Sequence, residues 1–242
     1  MARPPLVLGL TGSIGMGKST AARYLAQRGW RVFDADKAVH RLMAPGGLAV
    51  APLAAIFPAA RKTNAEGRDY LDRRVLREAV SQDPKSLAKL EAVLHPLVRK
   101  AQSRARYLAS KGRCKGLVLD IPLLFETQGD QRCDTVIVVS APGHIQQARV
   151  LRRSGITVKA FKTLLAKQMP DQEKRKRADY IIQTGLGYRH ARRQLDRILR
   201  DAPASLRPRN RCRSTIHPPL FGPENPHRWT PARKLRHDRR SS

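Results

Sequence analysis

Apolar positions in this chain fall into two kinds of run. Val7-Leu8-Gly9-Leu10, Arg31-Val32-Phe33, Gly116-Leu117-Val118-Leu119-Asp120, Asp134-Thr135-Val136-Ile137-Val138-Val139 and Ala178-Asp179-Tyr180-Ile181-Ile182 are short and nearly unbroken. Strands of a parallel sheet read this way because helices cover both faces. Between them apolar residues recur at helical spacing. Ala21, Ala22 and Leu25 follow the first run, and Leu48–Phe57, Leu71–Val80, Lys85–Val93 and Leu97–Ala109 precede the third. Pro58, Asn64-Ala65-Glu66-Gly67, Asp83-Pro84 and His95-Pro96 separate these last four segments, and no strand signal interrupts them. The alternation predicts an α/β fold, a three-layer sandwich on a five-stranded parallel sheet. Residues 1–200 form one domain, with a helical insertion at 48–112 and helices crowded with Arg and Lys at 142–177. Tyr188–Leu199 is a basic amphipathic closing helix.

From Asp201 the periodicity fades and seven prolines punctuate a stretch predicted to be a disordered basic tail, 201–242. His217, His227 and His237 in it are too far apart for a metal site. The 242 residues, 41% hydrophobic, can build a sizeable core. No apolar run approaches the roughly 18 residues of a membrane span. The first strand follows Met1 too closely to leave room for a signal peptide. Cys114, Cys133 and Cys212 are odd in number and far apart, which argues against a disulfide framework and for a reducing, cytoplasmic setting. The net charge of +29 is extreme; from Asp201 on, 10 Lys and Arg stand against 3 acids. Such a charge attracts nucleic acid non-specifically, serves polyanionic substrates, or reflects an Arg-rich composition.

One stretch changes the picture. Gly12-Ser13-Ile14-Gly15-Met16-Gly17-Lys18-Ser19 fits G-x-x-x-x-G-K-[ST], a loop that wraps phosphates in backbone N–H groups. It sits between a predicted strand and a predicted helix, so the phosphates meet a helix N-terminus. Lys18 can reach β- and γ-phosphates, and the Ser19 hydroxyl can ligate Mg²⁺. ATP is the expected nucleotide, held by Gly12, Gly15, Met16, Gly17, Lys18, Ser19 and Thr20. Asp34 and Asp36 end the second strand, on the side where ligands sit in open α/β sheets. Asp36 is the candidate to orient an attacking hydroxyl or take its proton, and Asp34 the candidate helix cap. Asp120 ends the third strand, where phosphate-loop enzymes place an acid near Mg²⁺. Asp72 is a cap or a functional acid, and His95 a structural residue or a substrate contact. Arg149 and Arg153, four apart on one predicted helical face, belong to a mobile lid that excludes water.

Taken in order, these residues resemble the dephospho-CoA kinase family. The resemblance rests on 9–20, Asp34-Ala35-Asp36, Leu71-Asp72-Arg73, Leu94-His95-Pro96, Asp120-Ile121-Pro122-Leu123-Leu124-Phe125-Glu126, Arg149, Arg153, Gln168 and 178–182, and covers residues 6 to about 200. It implies transfer of the ATP γ-phosphoryl group to the ribose 3′-hydroxyl of dephospho-CoA, the last step of coenzyme A synthesis, with Mg²⁺. Asp36 would be the base, Lys18 would steady the phosphates, and Arg149 or Arg153 would close over ATP. His95 and Leu123 would help hold the acceptor, and Ser19 and Asp120 the metal. Thr184 stands where the family often has Asn, on the adenine side. The chain is expected to be a monomer or weak oligomer without membrane contact. Two alternatives compete: another phosphate-loop kinase of small molecules or nucleotides, and a basic nucleic-acid-binding protein making contact through the tail. An N-K-x-D guanine signature is absent after the fourth strand, where Val139-Ser140-Ala141-Pro142 stands, which disfavours a GTPase.

Overall fold

The computed structural model describes residues 4–112, 114–153 and 155–205. The predicted tail lies outside the described residues, except that its first five close the last helix.

Five strands form one parallel sheet: β1 (Val7–Thr11), β2 (Arg31–Asp34), β5 (Leu117–Asp120), β6 (Thr135–Ser140) and β7 (Tyr180–Gln183), in the order β2-β5-β1-β6-β7. β1 lies at the centre, and every side chain in it is buried. Register pairs Leu10 with Asp120 and Asp34 with Asp120, so both acids end at the same edge of the sheet as the loop that follows Thr11.

Alternating side chains feed two core layers. Leu8, Leu10, Val118, Ile137 and Val139 pack under α1 (Lys18–Gln27) and α9 (Tyr188–Ser205). Val7, Phe33, Leu117, Leu119 and Val136 pack under α2 (Ala35–Met43) and α5 (Pro84–Lys111). A third cluster, around Met43, Leu53, Phe57, Leu76 and Leu94, fills the space between α2, α3 (Val50–Ile56), α4 (Arg73–Gln82) and α5. The remaining helices are α6 (Gly143–Leu151), α7 (Val158–Ala166) and α8 (Asp171–Arg177).

The structure differs from the sequence reading in the 48–112 segment. Arg61–Thr63 (β3) and Asp69–Leu71 (β4) pair as an antiparallel hairpin. Arg61, Lys62 and Thr63 are all exposed, so no apolar alternation announced it. The Asn64 side chain closes its turn by accepting the N–H groups of Glu66 and Arg68. His95-Pro96 does not end a helix: α5 runs through Pro96 for 28 residues. A proline removes one intrahelical hydrogen bond, and here buried Leu94 and Val98 on either side keep the helix packed. α6 ends at Leu151, so Arg153 follows the helix instead of sharing its face with Arg149.

Candidate active site

The loop between β1 and α1 takes its shape from glycine. Gly15 has φ 80°, and a Cβ there would lie 2.6 Å from Val150 Cγ2 and 2.9 Å from the Gln146 carbonyl oxygen. Gly17, at φ 92°, forms the N-cap of α1. The loop is held from outside at Ile14 and at Met16. The Ile14 N–H donates to Gln168 Oε1 at 3.0 Å, and Gln146 Nε2 donates to the Ile14 carbonyl at 2.8 Å. Met16 turns into the core, where its sulfur accepts the Ala141 N–H at 3.0 Å. Ser19 and Thr20 remain exposed.

A cavity of about 530 Å³ opens over this loop. Gly12, Gly15, Gly17, Lys18, Ser19 and Thr20 form one wall, and Asp36, Val98, Leu123, Arg153 and Gln168 complete it. Lys18 donates to Asp120 Oδ1 in a largely buried ion pair. Burial pushes the Asp120 carboxyl above the usual carboxylate range, against the pull of Lys18. Burial likewise raises Asp36, helped by the neighbouring Asp34 and opposed by Lys18 and Arg73. Asp34 caps α2 by accepting the Lys37 N–H at 3.0 Å, and Asp72 caps α4 by accepting those of Arg74 and Val75. Loop, cation and the Asp36 carboxylate thus line one cavity at a helix N-terminus, with Asp120 behind Lys18, an arrangement able to bind a phosphate chain and hold a hydroxyl against it.

A second cavity of about 360 Å³ lies on the other side of the loop, between α1 and α9. Gly15, Gly17, Thr20 and Arg153 border both spaces. Arg149 lines the second one, where its guanidinium donates to Thr184 Oγ1 at 2.9 Å and to the Thr184 carbonyl at 2.7 Å. Thr184 Oγ1 donates in turn to the Met16 carbonyl at 2.7 Å. His95 is buried on α5 one turn before Val98 and is not part of either lining. Burial and the adjacent Arg99 lower its pKa.

Sequence reasoning missed the struts behind the site. Lys174, in a basic run that reads as a solvated face, is fully buried. Its ammonium meets Glu126 Oε1 at 2.8 Å and the Pro122 carbonyl at 3.1 Å. Glu126 Oε1 also accepts the Met169 N–H, and Pro122 O accepts the Thr11 hydroxyl. The 121–126 wall of the cavity is thereby tied to β1 and to the segment that carries Gln168. Thr11, Pro122, Glu126 and Gln168 had a sequence signal, through the family pattern; Lys174 and Met169 had none.

The dephospho-CoA kinase family model matches residues 6–187. A dephospho-CoA kinase of Rhodospirillum rubrum is 46% identical over 88% of this chain and 99% of its own length. One of Cereibacter sphaeroides is 50% identical over 78% of this chain and 91% of its own. Among solved structures, a dephospho-CoA kinase of Campylobacter jejuni superposes with a TM-score of 0.60 at 26% identity, covering 81% of this chain and 96% of that one. A Thermus thermophilus protein superposes with a TM-score of 0.71 at 34% identity, covering 82% and 98%.

Proposed function

The chain belongs to the dephospho-CoA kinase family, and on that premise we propose how its residues divide the work. The protein is a kinase that phosphorylates dephospho-CoA at the expense of ATP, in coenzyme A biosynthesis. In our reading the acceptor is the ribose 3′-hydroxyl and the reaction is the last step of that synthesis.

The observation that carries the site assignment is that Asp36 and the loop residues Lys18 and Ser19 line one cavity. Phosphoryl transfer needs alignment and charge neutralisation more than covalent help. The loop amides from Gly12 to Thr20, with Lys18, hold the phosphates. Asp36 orients the acceptor hydroxyl and receives its proton. Leu123 and Val98 offer the acceptor an apolar wall. Arg153, at the border of both cavities, moves onto the transferring group, while Arg149 fastens the 142–177 lid to Thr184. The second cavity, between Tyr24, Thr184 and Tyr188, takes the adenine. His95 acts from behind the acceptor wall.

Mg²⁺ fits the donor set, because a serine hydroxyl and carboxylates are hard oxygen ligands. Ser19 and Asp120 would hold it, Asp120 exchanging its contact with Lys18, and bound Mg²⁺ would neutralise charge on the phosphates. Among the described residues no helix is long and apolar enough to cross a membrane. A cytoplasmic monomer or weak oligomer belongs to the same proposal.

The test is ADP release by the purified protein with Mg·ATP and dephospho-CoA, beside AMP, adenosine and no acceptor. Turnover with dephospho-CoA alone is the expected result. ATP binding without turnover on any acceptor would remove the acceptor assignment and leave the fold.

A further inference from the structure

A third cavity, of about 130 Å³, lies away from the phosphate loop, where α5 crosses the beginnings of β1 and β5. Its floor is apolar, with Val7 and Leu117 at the first positions of their strands. Its walls are cationic. Gln102 and Ser103 lie three and four residues after Arg99, and Arg106 lies four and three after them, so α5 presents the four as a stripe about 10 Å long. Arg132 closes the cavity from the 3₁₀ turn Gly129–Arg132. The lining holds three guanidinium groups and no carboxylate.

Arg132 sets this cavity apart from an ordinary basic surface. Its Nε and Nη2 are buried and have no hydrogen-bond partner among the described residues. Nε and Nη2 form the edge of a guanidinium that pairs side-on with an oxyanion. Burial weakens the protonated form of Arg132, Cys133 and Asp130 favour it, and Arg99 opposes it. Asp130, the nearby acid, also faces Arg177 at 3.8 Å. Buried charge of this kind is compensated by a counter-ion or else it weakens the fold.

We propose that this cavity is an anion-binding site for a phosphate-class oxyanion, separate from the nucleotide and acceptor cavities. Donors converge on it from a helix stripe and from a turn, hence from more than one plane, which suits a tetrahedral acceptor better than a planar carboxylate. The volume accommodates a free phosphate ion or the phosphoryl end of a monoester. α5 passes both sites, with Val98 in the acceptor cavity and Arg99 in this one. The inference does not depend on which acceptor is phosphorylated.

The experiment is calorimetric titration of the full-length protein with inorganic phosphate while the loop is saturated with Mg·AMP-PNP. A parallel arm uses Lys18→Ala without nucleotide. One saturable equivalent is expected in both. In Arg99→Gln/Arg106→Gln, two changes on the rim, affinity should fall at least about tenfold. Arg132→Gln, checked for folding by circular dichroism, should weaken it likewise. Competition by glycerol 3-phosphate would assign the site to monoesters, and its failure to compete to the free ion. The proposal is overturned if phosphate binding disappears with AMP-PNP or with Lys18→Ala, since the loop would then be the site. It is equally overturned if weak binding persists unchanged in the Arg99/Arg106 variant, the mark of an adventitious ion only.

Discussion

In the proposed division of work single residues carry the chemistry, and the base role given to Asp36 is the most open to test. A base must be ionised, so activity is lost as pH falls through its pKa. Burial raises that pKa, hence the acid limb of kcat should lie above the range of an ordinary aspartate. Asp36→Asn should abolish that limb and lower kcat by about 10²–10⁴-fold. Near-normal kcat with intact Mg·ATP binding would show that another group takes the proton. Glu91, buried on α5 with Oε1 unpartnered among the described residues, offers a test of stability. Desolvation raises its pKa from 4.5 to about 7. The folded state therefore binds more protons than the unfolded chain between those values, and stability declines as pH rises across that window. Glu91→Gln should melt with the wild type near pH 4.5 and above it at pH 8.5. At this scale the candidate site was legible in the sequence where its residues are local. Eight consecutive residues define the loop, and Asp36 lies two positions beyond a strand end. Gln146 was not legible, because the carbonyl it holds lies 132 residues away.

Elements show where pattern succeeds and where it fails. β1, β5 and β6 were readable because each is a nearly continuous apolar run buried throughout, and the edge strands β2 and β7 because a short apolar pair marks each. The hairpin β3–β4 was hidden, being three exposed polar residues against a strand of only three, of which Leu71 alone is buried. Pro96 concealed the continuity of α5, since a proline signals a break unless packing overrides it. The basic run 174–177 concealed Lys174, because helical geometry turns one member inward while its neighbours face water. That inward lysine joins α8 to the 121–126 wall, so breaking the pair should cost more than a surface ion pair would. Lys174→Met should lower unfolding free energy by about 3–5 kcal/mol in urea, the loss seen when one partner of a buried pair is removed. A loss under about 1 kcal/mol would mean that Glu126 finds water in place of the ammonium.

For the whole molecule, charge and chain order matter more than any one contact. α9 carries Arg189, Arg193, Arg197 and Arg200 on its outer side, all exposed, and the sequence after it adds further basic residues. Ending the chain after Ser205 should leave kcat/KM for dephospho-CoA within a few-fold, because the family match ends at 187 and the last described helix ends at 205. The same truncation should weaken and flatten the salt dependence of binding to duplex nucleic acid, measured by anisotropy across 50–200 mM salt. Unchanged salt dependence would place that affinity on the folded body. The order of strands has a consequence of another kind. β1 and β2 are made first, yet they are not neighbours: β5 lies between them, pairing Val7 with Leu117 and Arg31 with Leu117. Until Leu117–Asp120 has left the ribosome, the central sheet cannot form a single ladder. The nascent chain therefore carries two unpaired strands through the synthesis of the 82 residues between Asp34 and Leu117, a span in which a chaperone has the most to shield and a stalled ribosome the most to aggregate.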